Sequence, residues 1–200
     1  MPKRPLLPIT RLDQKKVLTS PVRQELLDVL ARVGDVSLAE LGALLGRPAD
    51  GLYHHVRLLV RVGLVRRAGE RVRGRRREAL FRAAAPQFAL RYTPPTRPHV
   101  AAMNAIVAAM LRLGIRDFHR AMAGGALRVE GPERDVWALR TTGWLRTPQL
   151  REVNRAIAAL SRTATRQEAA GQLYAVTVLL TPLRQRTNRT GRRPRQGARP

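Results

Sequence analysis

The chain has 200 residues, and 38 Lys and Arg against 14 Asp and Glu give a formal net charge of +24. Hydrophobic residues make up 44%, enough for one or two domain cores, so disorder of the whole chain is excluded. The absence of cysteine excludes disulfides, thiolate metal sites and a cysteine nucleophile. We expect neither a membrane span nor a signal peptide, because no apolar run is long enough. These observations lead us to expect a cytoplasmic protein. Its charge predicts a polyanionic partner, nucleic acid first and an acidic membrane surface second.

The first part of the chain is predicted to form an arm followed by four helices. Prolines interrupt residues 1–11, which we expect to form a flexible arm. Cap residues, glycine stops and apolar residues at helical spacing then predict helices over 12–18, 21–33, 38–45 and about 49–62. The clearest start is Ser37, which is expected to form a capping box with Glu40. Leu38, Leu41, Leu44 and Leu45 would form the apolar face of the third helix.

An arginine-rich β-hairpin is predicted next. Residues 64–68 and 78–83 flank the sequence GERVRGRRR, an arrangement typical of two strands joined by a loop. Arg, Ala and Glu have low strand propensity, so this prediction depends on its context. Seven of the twelve residues from 66 to 77 are arginine, and such a cluster repels itself unless it binds an anion.

The second half predicts a separate α+β domain over 98–182, behind a proline-rich linker at 87–97. Its predicted elements are a helix over 98–123, strands over 126–130 and 135–142, a helix over about 148–166 and a strand over 172–180. The whole chain is thus mainly α with a small β content. Residues 183–200 have almost no apolar side chain, and we expect them to be a disordered basic tail.

The long helix over 98–123 carries a broad apolar stripe with two possible partners. In the first interpretation it joins two copies of the chain. The predicted dimerisation residues are Met103, Ile106, Val107, Met110 and Phe118. In the second, Trp137, Leu139 and the strand Tyr174–Leu180 cover the stripe within one chain.

The order of helices 38–45 and 49–62, a short break between them and a following hairpin, is that of a winged helix-turn-helix. The helix over 49–62 would enter the major groove while the preceding helix braces it. The hairpin loop would reach phosphates or the adjacent minor groove.

Two stretches carry a resemblance to a known family. SPVRQELLDVL, over 20–30, resembles the second helix of ArsR-type winged-helix transcriptional regulators. SLAELGALLGRPADGLYHHVRLLVRVGLV, over 37–65, resembles their helix-turn-helix, and the likeness extends over about 12–86. It implies a dimeric DNA-binding regulator, and residues 98–182 are similar in outline to the C-terminal halves of some two-domain members.

The chain departs from this family at two points. Many members sense metals through cysteines, and this chain has none. Their recognition helices often begin with Ser or Thr that bind phosphate, where this chain has Pro48-Ala49-Asp50-Gly51. Asp50 would either cap the helix, which we favour, or accept a hydrogen bond from a cytosine amino group.

The candidate DNA contacts lie on the helix over 49–62 and on the hairpin. They are Ala49, Asp50, Gly51, Tyr53, His54, Arg57, Arg71, Arg73, Arg75, Arg76 and Arg77. Arg61, one turn beyond Arg57, is a weaker candidate. We expect His55 to be a packed and hydrogen-bonded residue of the fold.

The leading hypothesis is therefore a homodimeric regulator that binds a two-fold symmetric operator. The main alternative is an RNA- or ribosome-associated basic protein, although an aromatic content of 4% disfavours stacking on single strands. We predict no enzyme, since no catalytic motif or acid–base pair is present. Asp117 and His119, followed by two glutamates, do not make a convincing metal site, and no cofactor is predicted.

Trp137, Trp144 and Tyr174 are predicted to lie in the core of the second domain. A pocket for an effector ligand, lined by the same three rings, is the alternative. The sequence identifies neither the effector nor the operator.

Overall fold

A computed structural model describes residues 6–74, 76–92, 96–125, 127–165 and 171–183. The helices are α1 Leu12–Val17, α2 Pro21–Val33, α3 Leu38–Leu45, α4 Ala49–Arg61, α5 Arg97–Ala123 and α6 Thr147–Ala164. The strands are β1 Leu6–Ile9, β2 Val36–Ser37, β3 Val65–Arg73, β4 Arg76–Ala83 and β5 Gln87–Leu90. All of these strands lie in the first half of the chain.

Helices α2, α3 and α4 share one apolar core, as their helical periodicity predicts. Its most deeply buried leucines and valine, each 2% exposed or less, include Leu26, Leu30, Leu41, Leu52, Val56 and Leu59. At the start of α3, the Ser37 hydroxyl accepts from the Glu40 N–H, and the Glu40 carboxylate accepts from the Ser37 N–H. Leu44 was predicted to face the core but is 59% exposed, because Leu41 and Leu45 already form the buried stripe.

The turn between α3 and α4 folds back against α3 at Gly42. A Cβ added to Gly42 would lie 2.6 Å from the Arg47 carbonyl oxygen, which is backbone and cannot move aside. The Arg47 N–H donates to the Gly42 carbonyl at 2.9 Å, and Gly46 adopts the left-handed conformation at φ +60°. Glycine at these positions therefore sets how α4 leaves α3.

The predicted hairpin forms and is longer than the sequence indicates. β3 and β4 pair antiparallel from Val65 opposite Ala83 to Arg73 opposite Arg76, with an irregularity between Arg67 and Gly69. β2 pairs with the other edge of β4, which gives the order β2-β4-β3. Pairing with both neighbours outweighs the low strand propensity of this arginine-rich segment.

The predicted arm and linker contain a small sheet instead. β1 lies parallel to β5, with Ile9 opposite Leu90, and Ile9 is 2% exposed. Each strand has four residues, and the two are far apart in sequence. A pattern confined to neighbouring residues cannot predict such a pair.

The first half of α5 belongs to the N-terminal core, which corrects the predicted domain boundary. Met103 and Ile106 are 7% and 3% exposed and lie in the same apolar cluster as α2 and α4. Two predicted dimerisation residues are therefore occupied within their own chain. Among the helices in the described ranges, α5 alone is long and apolar enough to cross a membrane. Its buried side chains, however, pack on α1 and α2.

The strands predicted in the second half are not present among residues 127–165 and 171–183. The backbone of 136–145 and of 171–183 makes no hydrogen bond to any described residue. High β-propensity does not form a strand without a partner strand, which is why this prediction was wrong for the single chain. The predicted tail, apart from Leu183, lies outside the described residues.

Lys15 of α1 is fully buried, and its Nζ has no hydrogen-bond partner in the described part of the chain. An ammonium buried without a partner is unfavourable. We expect Lys15→Met, which keeps the length of the side chain, to raise the free energy of unfolding by about 1–3 kcal/mol. Chemical denaturation measures the change, with the exposed neighbour Lys16→Met as the control. A loss of stability in Lys15→Met would contradict the expectation.

Candidate nucleic-acid interface

Helix α4 has one buried face and one solvent face. Leu52, Val56 and Leu59 anchor it in the core. Tyr53, His54 and Arg57 are exposed on the other side. Arg61 continues this face one turn further and is also exposed. The helix is thus held from behind and presents hydrogen-bond donors in front.

The start of α4 differs from the favoured prediction for Asp50. The N-cap residue is Pro48, and no side chain caps the helix. The capping role is therefore wrong, and Asp50 lies exposed in the first turn, where the helix dipole favours a negative charge. Gly51 is exposed, and Ala49 is half-buried.

The exposed face of α4 is ordered by ring and cation contacts. The Arg57 guanidinium lies 5.5 Å from the centroid of the Tyr53 ring, a cation–π contact. His54 meets His55 edge to face at 5.8 Å. Burial lowers the pKa of His55, and the nearby charges of Arg23, His54 and Arg47 lower it further. His55 packs as predicted at half exposure, but its Nδ1 lacks the expected hydrogen bond within the described residues.

A groove of about 550 Å³ runs between α4 and the β3–β4 hairpin. Its lining residues are Tyr53, His54, Arg57, Leu58, Val60, Arg61, Arg67, Ala79 and Phe81. Arg57, Arg61 and Arg67 place three cations along its walls. Arg67 was not among the residues predicted to contact DNA, and Arg61 was only a weaker candidate. The i, i+4 spacing from Arg57 to Arg61, which places both on one face of the helix, was the signal that could have predicted Arg61.

The hairpin arginines are not equivalent in the described structure. Arg71 pairs with Glu40 of α3, and Arg67 pairs with Glu70. The pKa of Glu40 is lowered by the hydrogen bond from the Ser37 N–H and then by Arg71. Arg73 and Arg77, near the end of the hairpin, are exposed and have no acidic partner among the described residues. Arg75 lies outside those residues, and Arg76 is described only by its backbone.

A cluster of three ionic side chains supports α4 from behind, and no sequence pattern pointed to it. The Glu25 side chain of α2 is only 10% exposed. Its carboxylate accepts from Arg47, just before α4, at 3.0 and 3.3 Å. It also accepts from Arg116 of α5 at 2.7 and 3.0 Å, and this bond is the main reason that the pKa of Arg116 is raised. The cluster joins α2, the α3–α4 turn and α5.

The aromatic candidates of the second half do not lie in a core. Trp137 and Trp144 are 68% and 84% exposed. The Arg134 guanidinium lies 4.1 Å from the Trp137 ring centroid, and the Tyr174 hydroxyl donates to Asp135 at 2.7 Å.

In the part of the chain that the structure describes, no three His, Asp or Glu side chains come together to hold a metal ion. The Asp117 carboxylate instead accepts from Arg116. Asp117 and His119 therefore do not belong to a group of three possible metal ligands among the described residues.

A family model described as a helix-turn-helix domain matches residues 18–68, about a quarter of the chain. The match runs from the residues just before α2 into the start of β3. No curated protein matches the chain. The chain therefore contains an N-terminal helix-turn-helix domain, which confirms that part of the prediction. Such a domain points to a DNA-binding regulator rather than an enzyme.

Proposed function

We propose that the protein is an ArsR-type winged helix-turn-helix transcriptional regulator, located in the cytoplasm, that binds duplex DNA. One observation carries the proposal. Within the matched helix-turn-helix domain, α4 presents Tyr53, His54 and Arg57 to solvent beside an arginine-rich hairpin. A net charge of +24 supports a polyanionic partner.

In this proposal α4 enters the major groove. His54 and Arg57 contact base edges, since both are exposed at the middle of the helix. Arg61 and Arg67 face phosphates along the groove between α4 and the hairpin. The remaining proposed contacts are those at the start of α4 and on the hairpin, namely Ala49, Asp50, Gly51, Tyr53, Arg71, Arg73, Arg75, Arg76 and Arg77.

The regulator acts as a homodimer on a two-fold symmetric operator. A single helix-turn-helix reads few base pairs, so specificity requires two half-sites at a fixed spacing. On α5, Val107, Met110 and Phe118 are half-buried or exposed and stay candidates for the contact between copies. Binding to RNA is less well supported, because Tyr53 is the single phenol ring on the exposed face of α4 and lies under Arg57.

Two substitutions on α4 test base reading. His54→Ala and Arg57→Ala are each expected to change the preference between operator variants by roughly 1–3 kcal/mol, because a base contact is lost. The operator is first selected from genomic fragments, and affinities are then measured for single-base variants. Arg120→Ala, which removes an exposed arginine from α5, is the control and should preserve the ranking. If both α4 variants rank operator bases as the parent does, α4 does not read them.

A further inference from the structure

The C-terminal half of the described chain exposes more apolar surface than a monomer ordinarily does. Fourteen large apolar side chains between residues 129 and 183 are 41% to 84% exposed. No described residue from 114 to 183 is buried. Contiguous apolar patches on monomers rarely exceed a few hundred Å². Trp137, Trp144 and Tyr174 can bury several hundred Å² by themselves.

Helix α6 is amphipathic, and nothing among the described residues fully buries its apolar stripe. Leu150, Val153, Ile157 and Leu160 recur at three- and four-residue steps, yet the helix buries none of its side chains. Its hydrogen bonds to the N-terminal half lie just past its C-terminal end, where Arg32 and Gln87 donate to Thr165. An apolar stripe on an 18-residue helix is stable in water only when something covers it.

The backbone on either side of α6 has unused hydrogen-bonding groups. Residues 136–145 and 171–183 donate and accept no backbone hydrogen bond within the described chain. The two segments are neighbours, since the Tyr174 hydroxyl donates to Asp135, just before 136–145. Residues 171–183 also lie beside α5, where the Thr177 hydroxyl is 3.5 Å from the Cβ position of Gly114. Such segments, rich in β-branched residues, are templates for pairing with another strand.

We propose that a second copy of this chain covers this surface, and that the dimer forms chiefly through α6 and the segments 136–145 and 171–183. The proposal rests on the homodimer of the proposed function and locates its interface away from the middle of α5. A standard interface buries about 800 Å² per partner, which an apolar surface of this extent can supply. The pairing segments of two copies complete each other's hydrogen bonds under two-fold symmetry.

The charge pattern favours contact between two copies along residues 171–183. The chain carries +24, which opposes self-association over most of its surface, but residues 171–183 contain no charged side chain. Two copies can therefore approach along 171–183 without repulsion, whereas 136–145 and α6 carry Arg140, Arg151, Arg155 and Arg162 against one Glu152. A small apolar ligand cannot take this place, because Trp137 and Trp144 are too open to line an enclosed cavity.

The test uses the full chain and its own probes. The two tryptophans of the sequence both lie on the proposed interface, so intrinsic fluorescence reports on it alone. We expect sedimentation to give a dimer at micromolar concentration, with tryptophan emission that shifts to the red on dilution. In the dimer, amides of 136–145 and 171–183 should exchange about 100-fold more slowly than in an unstructured chain.

Val176→Glu places a charge in the proposed interface and is expected to raise the dimer dissociation constant about 100-fold. Val72→Glu makes the same change at an exposed valine of the hairpin and should leave the dimer intact. Leu173→Glu is the second interface variant, and far-UV circular dichroism checks that each variant is folded. The proposal would be overturned if the parent protein is a monomer, or if the dimer leaves the amides of 136–145 and 171–183 unprotected from exchange. It would also be overturned if those amides stay protected in a monomeric variant.

The outcomes separate this interface from the proposed function. A dimer with protected segments that binds no operator keeps the interface and refutes the regulator. A protein that binds a two-fold operator while its segments stay unprotected keeps the regulator and refutes the interface. Capture of an unrelated protein by the same surface, with the chain itself monomeric, also refutes the second copy as the occupant.

Discussion

Replacing Arg73 and Arg77 by alanine is expected to weaken binding to every DNA duplex about 60-fold at 0.1 M salt. Both side chains are exposed near the end of the hairpin and have no acidic partner among the described residues. Each phosphate contact contributes about 0.9 to the slope of log affinity against log salt, so the slope should fall by about 1.8. Titrations at several salt concentrations, with operator and random duplexes, measure both quantities.

Two controls make this result specific to the hairpin. Changing Arg73 and Arg77 to Lys keeps the charge and should keep the slope. Arg91→Ala with Arg97→Ala removes the same charge at exposed positions outside the hairpin, α4 and α6, and the slope should again be unchanged.

Glu40→Gln should have the opposite effect and strengthen binding to all duplexes, because it removes the negative charge that pairs with Arg71. The glutamine keeps a side-chain oxygen that can accept from the Ser37 N–H. An unchanged slope in the Arg73/Arg77 double variant would mean that the hairpin does not contact DNA.

The helix-turn-helix could be predicted because its signals are local. Ser37 and Glu40 interact over three residues, and the buried face of α4 repeats at helical spacing. The same spacing placed Tyr53, His54 and Arg57 on the opposite face. A sequence pattern is informative where each residue's environment is fixed by neighbours within one or two turns.

The parts that sequence reasoning missed depend on distant residues. β1 and β5 pair across most of the N-terminal domain, and Met103 of α5 fills a core formed by residues before 84. The apolar stripe of α5 was recognised, but a stripe does not say what covers it. Strands predicted over 135–142 and 172–180 have the right composition and find no partner within the described chain.

The candidate interface was likewise predictable only in part. The exposed face of α4 could be predicted from its helical periodicity, whereas the pairing of Arg71 with Glu40 depends on how the hairpin packs against α3. The groove that brings Arg67 beside Arg57 likewise needs the hairpin in place. The positions of the arginines in the sequence could not show that Arg67 and Arg71 are paired with carboxylates, whereas Arg73 and Arg77 have no acidic partner among the described residues.

Removing the buried carboxylate in Glu25→Ala is expected to lower the free energy of unfolding by about 2–3 kcal/mol. Glu25 is 10% exposed and holds Arg47 and Arg116, whose side chains are 29% and 26% exposed. Without it, Arg47 has no carboxylate partner among the described residues, and Arg116 keeps only Asp117. The value is set below that of a fully buried pair because both arginines keep some solvent. Thermal unfolding should show a midpoint lower by about 5–10 °C.

The effect should reach DNA recognition, because Arg47 immediately precedes the first turn of α4. Glu25→Gln keeps the shape and weakens the ion pairs, so it should reduce operator preference while the salt slope, set by phosphate contacts, stays unchanged. Glu70→Ala breaks an exposed pair with Arg67 and should leave stability unaltered. Replacing Glu25, Arg47 and Arg116 together by Leu, Met and Met should recover part of the lost stability, since the cluster then leaves only the Asp117 carboxylate without its arginine, and that side chain is 37% exposed. If Glu25→Ala is as stable as the parent, the cluster does not hold α4 in place.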